Sequence, residues 1–151
     1  MDYKFTIIVP VYNEEDNLER VEKELLAYTK IATLPTAVLF VNDGSKDKSQ
    51  VLIDDICNRN ENFDYILFEE NRGLSAAIKA GFDTIETEFV GYIDSDLQTA
   101  PEDFNLLLEH ITEYDLVTGV RANRKDSVVK NMSSTIANGI RRTFTHDGMD
   151  D

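Results

Sequence analysis

Cysteine is nearly absent. Cys57 stands alone in 151 residues, so no internal disulfide can form, and no Cys/His cluster has the spacing of a zinc site. Long hydrophobic runs are missing as well: the apolar stretches are a handful of residues each, far short of the ~20 that a membrane-spanning helix needs. The first residues, Met1-Asp2-Tyr3-Lys4, have neither the charge pattern nor the apolar length of a secretory signal, and the chain reads as a soluble one of a reducing compartment. Cations are scarce. Fifteen Lys and Arg face 29 Asp and Glu, and the net charge of −14 excludes unaided electrostatic binding to nucleic acid or to an anionic membrane. There is no internal repeat, low-complexity stretch or obvious linker. What is present, 42% hydrophobic and 29% charged residues, is the balance of a single globular domain.

The charge is unevenly spread. Residues 1–120 carry most of the acidic excess, whereas residues 121–142 hold Arg121, Arg124, Lys125, Lys130, Arg141 and Arg142 against Asp126 alone. Such a basic island is either a local anion site or an ordinary solvated helix face.

Strands and helices alternate. Phe5–Val9, closed by Pro10, Ala37–Val41, Tyr65–Phe68, Phe89–Ile93 and Leu116–Val120 read as five short buried strands. Between them lie amphipathic helices. The first has Asn13 as its cap and Glu14-Glu15-Asp16 as its first turn, with Leu18, Val21, Leu25 and Leu26 inward. The second turns Leu52, Ile53, Ile56 and Cys57 inward. The third has Leu74, Ala77, Ile78, Gly81, Phe82 and Ile85 at helical spacing, with small residues suited to close approach to a sheet. Pro101 opens a fourth, with Phe104, Leu107, Leu108 and Ile111 inward, and a fifth runs over 127–143. Continuous apolar strands alternating with such helices predict an α/β fold, a mostly parallel central sheet with helices on both faces.

In folds of this kind ligands bind beyond the carboxyl ends of the strands. The residues there are polar: Tyr12-Asn13-Glu14, Asn42-Asp43-Gly44-Ser45, Asn71-Arg72-Gly73, Asp94-Ser95-Asp96-Leu97-Gln98, and Arg121, Asn123 and Arg124. Alternate residues of an extended segment point the same way, so Asp94 and Asp96 can face one hard cation, and Gln98 continues the spacing. Two or three protein oxygens leave positions of an octahedral Mg²⁺ or Mn²⁺ open to phosphate and water. A helix cap beside a solvated neighbour remains the plainer alternative. Asp43 either closes a turn ahead of an Asp47 helix cap or accepts hydrogen bonds from a base or ribose. No G-x-G-x-x-G or P-loop motif is present. His110 and His146 have no sequence partner and read as surface or packing residues, and Cys57 as core.

These segments together resemble glycosyltransferase family 2, enzymes of the GT-A fold that use nucleotide sugars. The resemblance is carried by Ile8-Val9-Pro10-Val11-Tyr12-Asn13-Glu14-Glu15, Val41-Asn42-Asp43-Gly44-Ser45-Lys46-Asp47, Asn71-Arg72-Gly73, Ala77-Ile78-Lys79-Ala80-Gly81-Phe82 and Asp94-Ser95-Asp96-Leu97-Gln98-Thr99-Ala100-Pro101-Glu102, in that order. The D-x-D-L-Q-x-x-P-E form, with Gly119 to Ser127 downstream, is most similar to the polyprenyl-phosphate hexose synthases. The resemblance implies that Pro10, Tyr12 and Glu14 line the base and ribose and that Asp43 holds the base edge. It implies that Asp94, Asp96 and Gln98 hold a divalent metal, Mg²⁺ or Mn²⁺, against the diphosphate. Arg121 and Lys130 match phosphate-neutralising positions, with Arg124 nearby, and the basic island falls on them. Asp151, beside Asp150, lies where a further acidic motif of the branch begins.

The implied reaction is inverting transfer of a hexose from a UDP- or GDP-sugar to a polyprenyl phosphate. Its developing leaving-group charge is met by the cation and by side chains such as Arg121. A lipid phosphate, with a second pKa of about 6, is already a nucleophile at neutral pH, whereas a saccharide hydroxyl would need a carboxylate base. The whole chain reads as one donor-binding domain whose acceptor part and membrane helices lie elsewhere. It is expected at the cytoplasmic face of a membrane, with nucleotide and metal affinity but little turnover; a homo-oligomer is left open. The alternatives are a family member acting on a saccharide acceptor, a non-catalytic nucleotide-sugar-binding module, and a metal-dependent nucleotidyltransferase or phosphatase. The last pair fits poorly: a phosphatase of the haloacid dehalogenase type carries its D-x-D after the first strand, and a nucleotidyltransferase a basic Gly-rich loop there.

Overall fold

The computed structural model of the protein describes residues 2–119. Its elements alternate as the sequence predicts: β1 (Phe5–Val11), α1 (Leu18–Thr29), β2 (Thr36–Asn42), α2 (Ser49–Arg59), β3 (Phe63–Leu67), α3 (Leu74–Thr84), β4 (Phe89–Tyr92) and α4 (Asp103–Leu108). The four strands form one parallel sheet in the order β3-β2-β1-β4. Because side chains alternate across a strand, β1 divides its apolar residues between two cores. Phe5, Ile7, Val9 and Val11 meet Leu18, Val21, Leu25 and Tyr28 of α1, Ile53 and Ile56 of α2, and Phe104 of α4. Ile8, with Leu39 and Val41 of β2, meets Ala77 of α3 on the opposite face. Helices therefore cover both faces, the GT-A arrangement the resemblance implies.

Several boundaries differ from the sequence reading, each for a physical reason. Helix α1 begins at Leu18, and Asn13 does not cap it. Asn13 instead takes a left-handed conformation, φ 56°, and its carboxamide oxygen accepts the Lys46 N–H at 2.8 Å. The next N–H groups are likewise spent on the β2–α2 segment, Glu14 on the Ser49 hydroxyl and Glu15 on Asp47, and a single turn, closed by the Asn17 and Leu18 N–H groups on the Glu14 carbonyl, leads into the helix. On α3 only the stripe through Ala77 and Gly81 is buried; Leu74 and Phe82 are about half exposed. A Cβ on Gly81 would lie 2.7 Å from the Ile8 side chain, which is the close approach the small residues allow. Helix α4 is six residues long, and Ile111 lies beyond it.

The expected strand at Leu116–Val120 does not form over its described part. Residues 116–119 adopt no extended pairing, and Leu116 is 81% exposed. A short apolar run signals burial but not a ladder partner, and among the described residues it finds none. The predicted helix over 127–143 lies outside the described residues. Among the described residues no helix is long and apolar enough to cross a membrane.

Candidate functional site

The strand order dictates where a site can form. The chain steps outward from β1 to β2 to β3, then returns to the other side of β1 with β4, so the crevice between the carboxyl ends of β1 and β4 is a topological switch point. Pro10 helps to open it. The carbonyls of Lys4, just before β1, and of Ile8 face β4, accepting from Phe89 and Ile93, while that of Val11 faces β2 and accepts from Asp43. Pro10 therefore faces the β4 side just past the last ladder pair, Ile8 with Tyr92, where its missing N–H costs no hydrogen bond. The two strands part there.

A cleft of about 320 Å³ occupies this place, lined by Pro10, Val11, Tyr12, Glu14, Asp43, Asn71, Gly73, Leu74, Ala77, Asp94, Ser95 and Asp96. Pro10, Val11, Leu74 and Ala77 give it an apolar lining, with half-exposed Tyr12 beside them. Glu14, Asp43, Asp94 and Asp96 add four carboxylates, and no Lys or Arg lies among the lining residues. A ligand with a flat, weakly polar part and an anionic part fits this lining if a cation accompanies the anion.

Asp94 and Asp96 follow β4 in a tight turn. The expected alternation holds in burial: Ile93, Ser95 and Leu97 are buried, and Asp94, Asp96 and Gln98 are exposed. Gln98 does not extend the pair as a free oxygen donor. Its side-chain amide donates to Asp96 Oδ2 at 2.8 Å, and its backbone N–H reaches Asp96 Oδ1 at 3.2 Å. Among the described residues no group of three His, Cys, Asp or Glu could enclose a metal. Two hard carboxylates at an open cleft do fit a Mg²⁺ or Mn²⁺ whose other ligands are phosphate oxygens and water.

Asp43 is 4% exposed, and both its carboxylate oxygens are engaged: Oδ1 accepts the Arg72 N–H at 2.7 Å and Oδ2 the Gly73 N–H at 2.9 Å. It thus fixes the loop that starts α3, a role the sequence reading missed, while still lining the cleft. Gly44 beside it has φ +68°, and a Cβ there would stand 2.4 Å from the Glu70 carbonyl carbon. The β1–α1 and β2–α2 loops are interlocked in the same way. Asp47 accepts the N–H groups of Glu15 and Ser49 at 3.1 and 3.0 Å, and Glu15 accepts that of Lys48 at 2.7 Å. Burial acts to raise the Asp47 carboxyl, but the hydrogen bonds from Ser49 and Glu15 hold it below its ordinary value.

The structure thus brings Pro10, Tyr12, Glu14, Asp43, Asp94 and Asp96 together around one cleft and places Gln98 against Asp96. Arg121, Arg124, Lys130 and Asp151 lie outside the described residues. Val11, Asn71, Gly73, Leu74, Ala77 and Ser95 join the lining without having been assigned site roles; their signal was position, at or after a strand end or in the first turn of the next helix. Cys57 is half-buried, and burial, with Asp64 and Asp54 in support, pushes its thiol up to about 11, as suits a packing residue.

An acidic cleft at the switch point of a parallel sheet is where α/β proteins hold nucleotides and other phosphorylated ligands. Residues 6–150 match the Glycosyl transferase family 2 profile, and the chain belongs to that family. It is 36% identical over 149 residues to the undecaprenyl-phosphate 4-deoxy-4-formamido-L-arabinose transferase of Pectobacterium atrosepticum, covering 97% of this chain and 45% of that protein. The chain thus spans about half the length of the curated relatives it matches. Two solved structures share the fold. Glucosyl-3-phosphoglycerate synthase from Mycobacterium tuberculosis, in complex with Mn²⁺, UDP-glucose and phosphoglyceric acid, aligns with a TM-score of 0.67 at 14% identity, over 95% of this chain and 50% of that one. The mannosyltransferase PcManGT from Pyrobaculum calidifontis, in complex with GDP-mannose and Mn²⁺, aligns with a TM-score of 0.63 at 19% identity, over 75% and 33%.

Proposed function

We propose that this chain is the donor-binding part of an inverting, metal-dependent glycosyltransferase that moves a sugar from a UDP- or GDP-sugar to a polyprenyl phosphate at the cytoplasmic face of a membrane. The observation that carries the reading is the pairing of Asp94 and Asp96 on the wall of a cleft that contains four carboxylates and no lining cation. The Pectobacterium relative supports the lipid-phosphate acceptor by its name. That name specifies a modified arabinose, a pentose, so the transferred group is taken as a pentosyl or hexosyl unit. Mn²⁺ beside a nucleotide sugar in both solved structures supports a divalent ion.

In this reading the apolar wall of Pro10, Val11, Leu74 and Ala77 receives the base and ribose, with Tyr12 and Glu14 at the edge and Asp43 toward the base. Asp94 and Asp96, with Gln98 once its amide turns, hold Mg²⁺ or Mn²⁺. When bound, that ion supplies positive charge to the diphosphate as the bond to the sugar breaks. Arg121, Lys130 and Arg124 add positive charge to the phosphates. The acceptor phosphate oxygen attacks the anomeric carbon from the face opposite the leaving group. The carbon–oxygen bond to the diphosphate breaks, and the nucleoside diphosphate departs with the electron pair. No base is required for that acceptor; Asp151 is the candidate base if the acceptor is a hydroxyl.

Calorimetric titration with UDP and GDP, with and without Mn²⁺, tests the reading. Binding should require the ion and weaken at least about tenfold in Asp94→Ala and in Asp96→Ala, whose thermal stability should be unchanged because both side chains are exposed. Binding indifferent to Mn²⁺, or undiminished in both variants, refutes it.

A further inference from the structure

We infer that Arg20 of α1 is a positioning residue for the Asp94–Gln98 turn, holding its backbone in the shape that presents the Asp96 carboxylate to a divalent ion. This rests on the reading of the cleft as a metal-dependent donor site. Arg20 Nη2 donates to the Asp96 carbonyl at 2.7 Å and to the Leu97 carbonyl at 3.1 Å. Its Nε lies 3.3 Å from Glu24 Oε1 one turn along α1, so the guanidinium is held from both sides. The turn it grips is not one the chain adopts freely: Leu97 has φ 45°, a left-handed conformation that a leucine disfavours, and its side chain is buried at 8% exposure. Within that turn the two Gln98 N–H donors reach back to the two Asp96 oxygens. The carboxylate's direction is therefore set by the Leu97 conformation, and that conformation is clasped by Arg20 from a helix far away in sequence.

Lysine is a partial substitute. Its ammonium can reach a carbonyl, but a shorter point donor cannot hold both carbonyls and Glu24 in one planar arrangement.

The test is Mn²⁺ capture by the full chain in the presence of GDP or of UDP, followed by the loss of the free-ion electron paramagnetic resonance signal. Amide exchange at Gln98 and the thermal midpoint are measured on the same samples. Arg20→Ala should weaken Mn²⁺ binding about tenfold, speed Gln98 exchange and leave the midpoint within a few degrees, and Arg20→Lys should recover part of the loss. Asp96→Ala separates the two claims. If it abolishes Mn²⁺ capture while Arg20→Ala keeps wild-type affinity and Gln98 protection, the role of Arg20 is overturned and the metal reading stands. If the unsubstituted chain captures no Mn²⁺, or Asp96→Ala captures it undiminished, the metal reading falls and the role of Arg20 with it. Should Arg20→Ala fail to fold, Arg20→Lys decides alone: about threefold weaker capture is expected, and unchanged affinity and exchange overturn the inference.

Discussion

Replacing Asp43 by asparagine probes the clamp beneath the cleft with almost no change of volume. In the native chain one carboxylate accepts two backbone N–H groups, from Arg72 at 2.7 Å and Gly73 at 2.9 Å, at a position only 4% exposed. An asparagine oxygen can keep one of them. Its NH₂ must then face the other, donor against donor, leaving a buried N–H unsatisfied. That group alone costs about 1–3 kcal/mol, and the surviving bond loses its charge assistance, about 1 kcal/mol more. Asp43→Asn should therefore lose about 2–4 kcal/mol in urea-induced unfolding, a large share of a typical domain stability of about 5–15 kcal/mol. The Arg72 and Gly73 amides should lose hydrogen-exchange protection ahead of the β1–β2 ladder. Asp43→Ala is the informative control: it leaves space at the cleft wall for a water to serve both N–H groups, and it should be no more destabilising than asparagine despite removing more atoms. A loss below about 0.5 kcal/mol in Asp43→Asn, with Arg72 and Gly73 still protected, would refute the clamp.

Two further outcomes follow from neighbouring geometry. Gly44 and Gly73 both have positive φ, but a Cβ at Gly44 would strike the Glu70 and Asn71 backbone at 2.4 and 2.6 Å, whereas one at Gly73 meets nothing within 4 Å. Gly73→Ala should cost only the conformational strain, about 1–3 kcal/mol, and Gly44→Ala that strain plus about 1–3 kcal/mol of overlap; equal values in chemical denaturation would contradict the placement of the two loops. Asp47 is held below its ordinary pKa, so the stability it contributes is complete above the ordinary carboxylate range and is lost as pH falls through the lowered value. The stability gap between the unsubstituted chain and Asp47→Asn should thus shrink on acidification, read by urea unfolding from neutral pH to about pH 2, and a gap constant with pH would be inconsistent with that linkage.

The fold was legible where periodicity and topology speak together. Apolar β1 and β2, the amphipathic faces through Leu18-Val21-Leu25 and Ile53-Ile56, and the polar residues after each strand sufficed to place the cleft. What was not legible depended on contacts between loops distant in sequence. Asn13 looks like a cap because nothing local reveals that Lys46, 33 residues on, donates to its side chain. Gln98 continues the spacing of the two aspartates in the sequence, but nothing local reveals that the segment turns at Leu97 and rests its amide on Asp96. Leu116 looks like a strand because an apolar run says nothing of whether a neighbouring strand is there to pair with it. Arg20 carries no signal at all: on a helix face a single arginine opposite Glu24 is indistinguishable from a solvated ion pair.

The positions of backbone strain tie these loops to one purpose. Among the described residues the positive-φ positions are Asn13, Gly44, Gly73 and Leu97, one in the loop after each of the four strands. Each of these loops must turn the chain from strand into helix at the carboxyl edge of the sheet. Three of the four strained positions are held by a hydrogen bond from a different segment: Asn13 by the Ser45 hydroxyl and the Lys46 N–H, Gly73 by Asp43, and Leu97 by Arg20. Gly44 is held by packing, its Cα set against the Glu70–Asn71 backbone too closely for any side chain. A chain selected only to fold would relax such turns by lengthening them, at small entropic cost. Short, cross-braced loops instead hold the four cleft carboxylates, Glu14, Asp43, Asp94 and Asp96, around one cleft. In the proposed reading a divalent ion would meet carboxylates that these braces already gather at one cleft, with little loop ordering left to accompany binding.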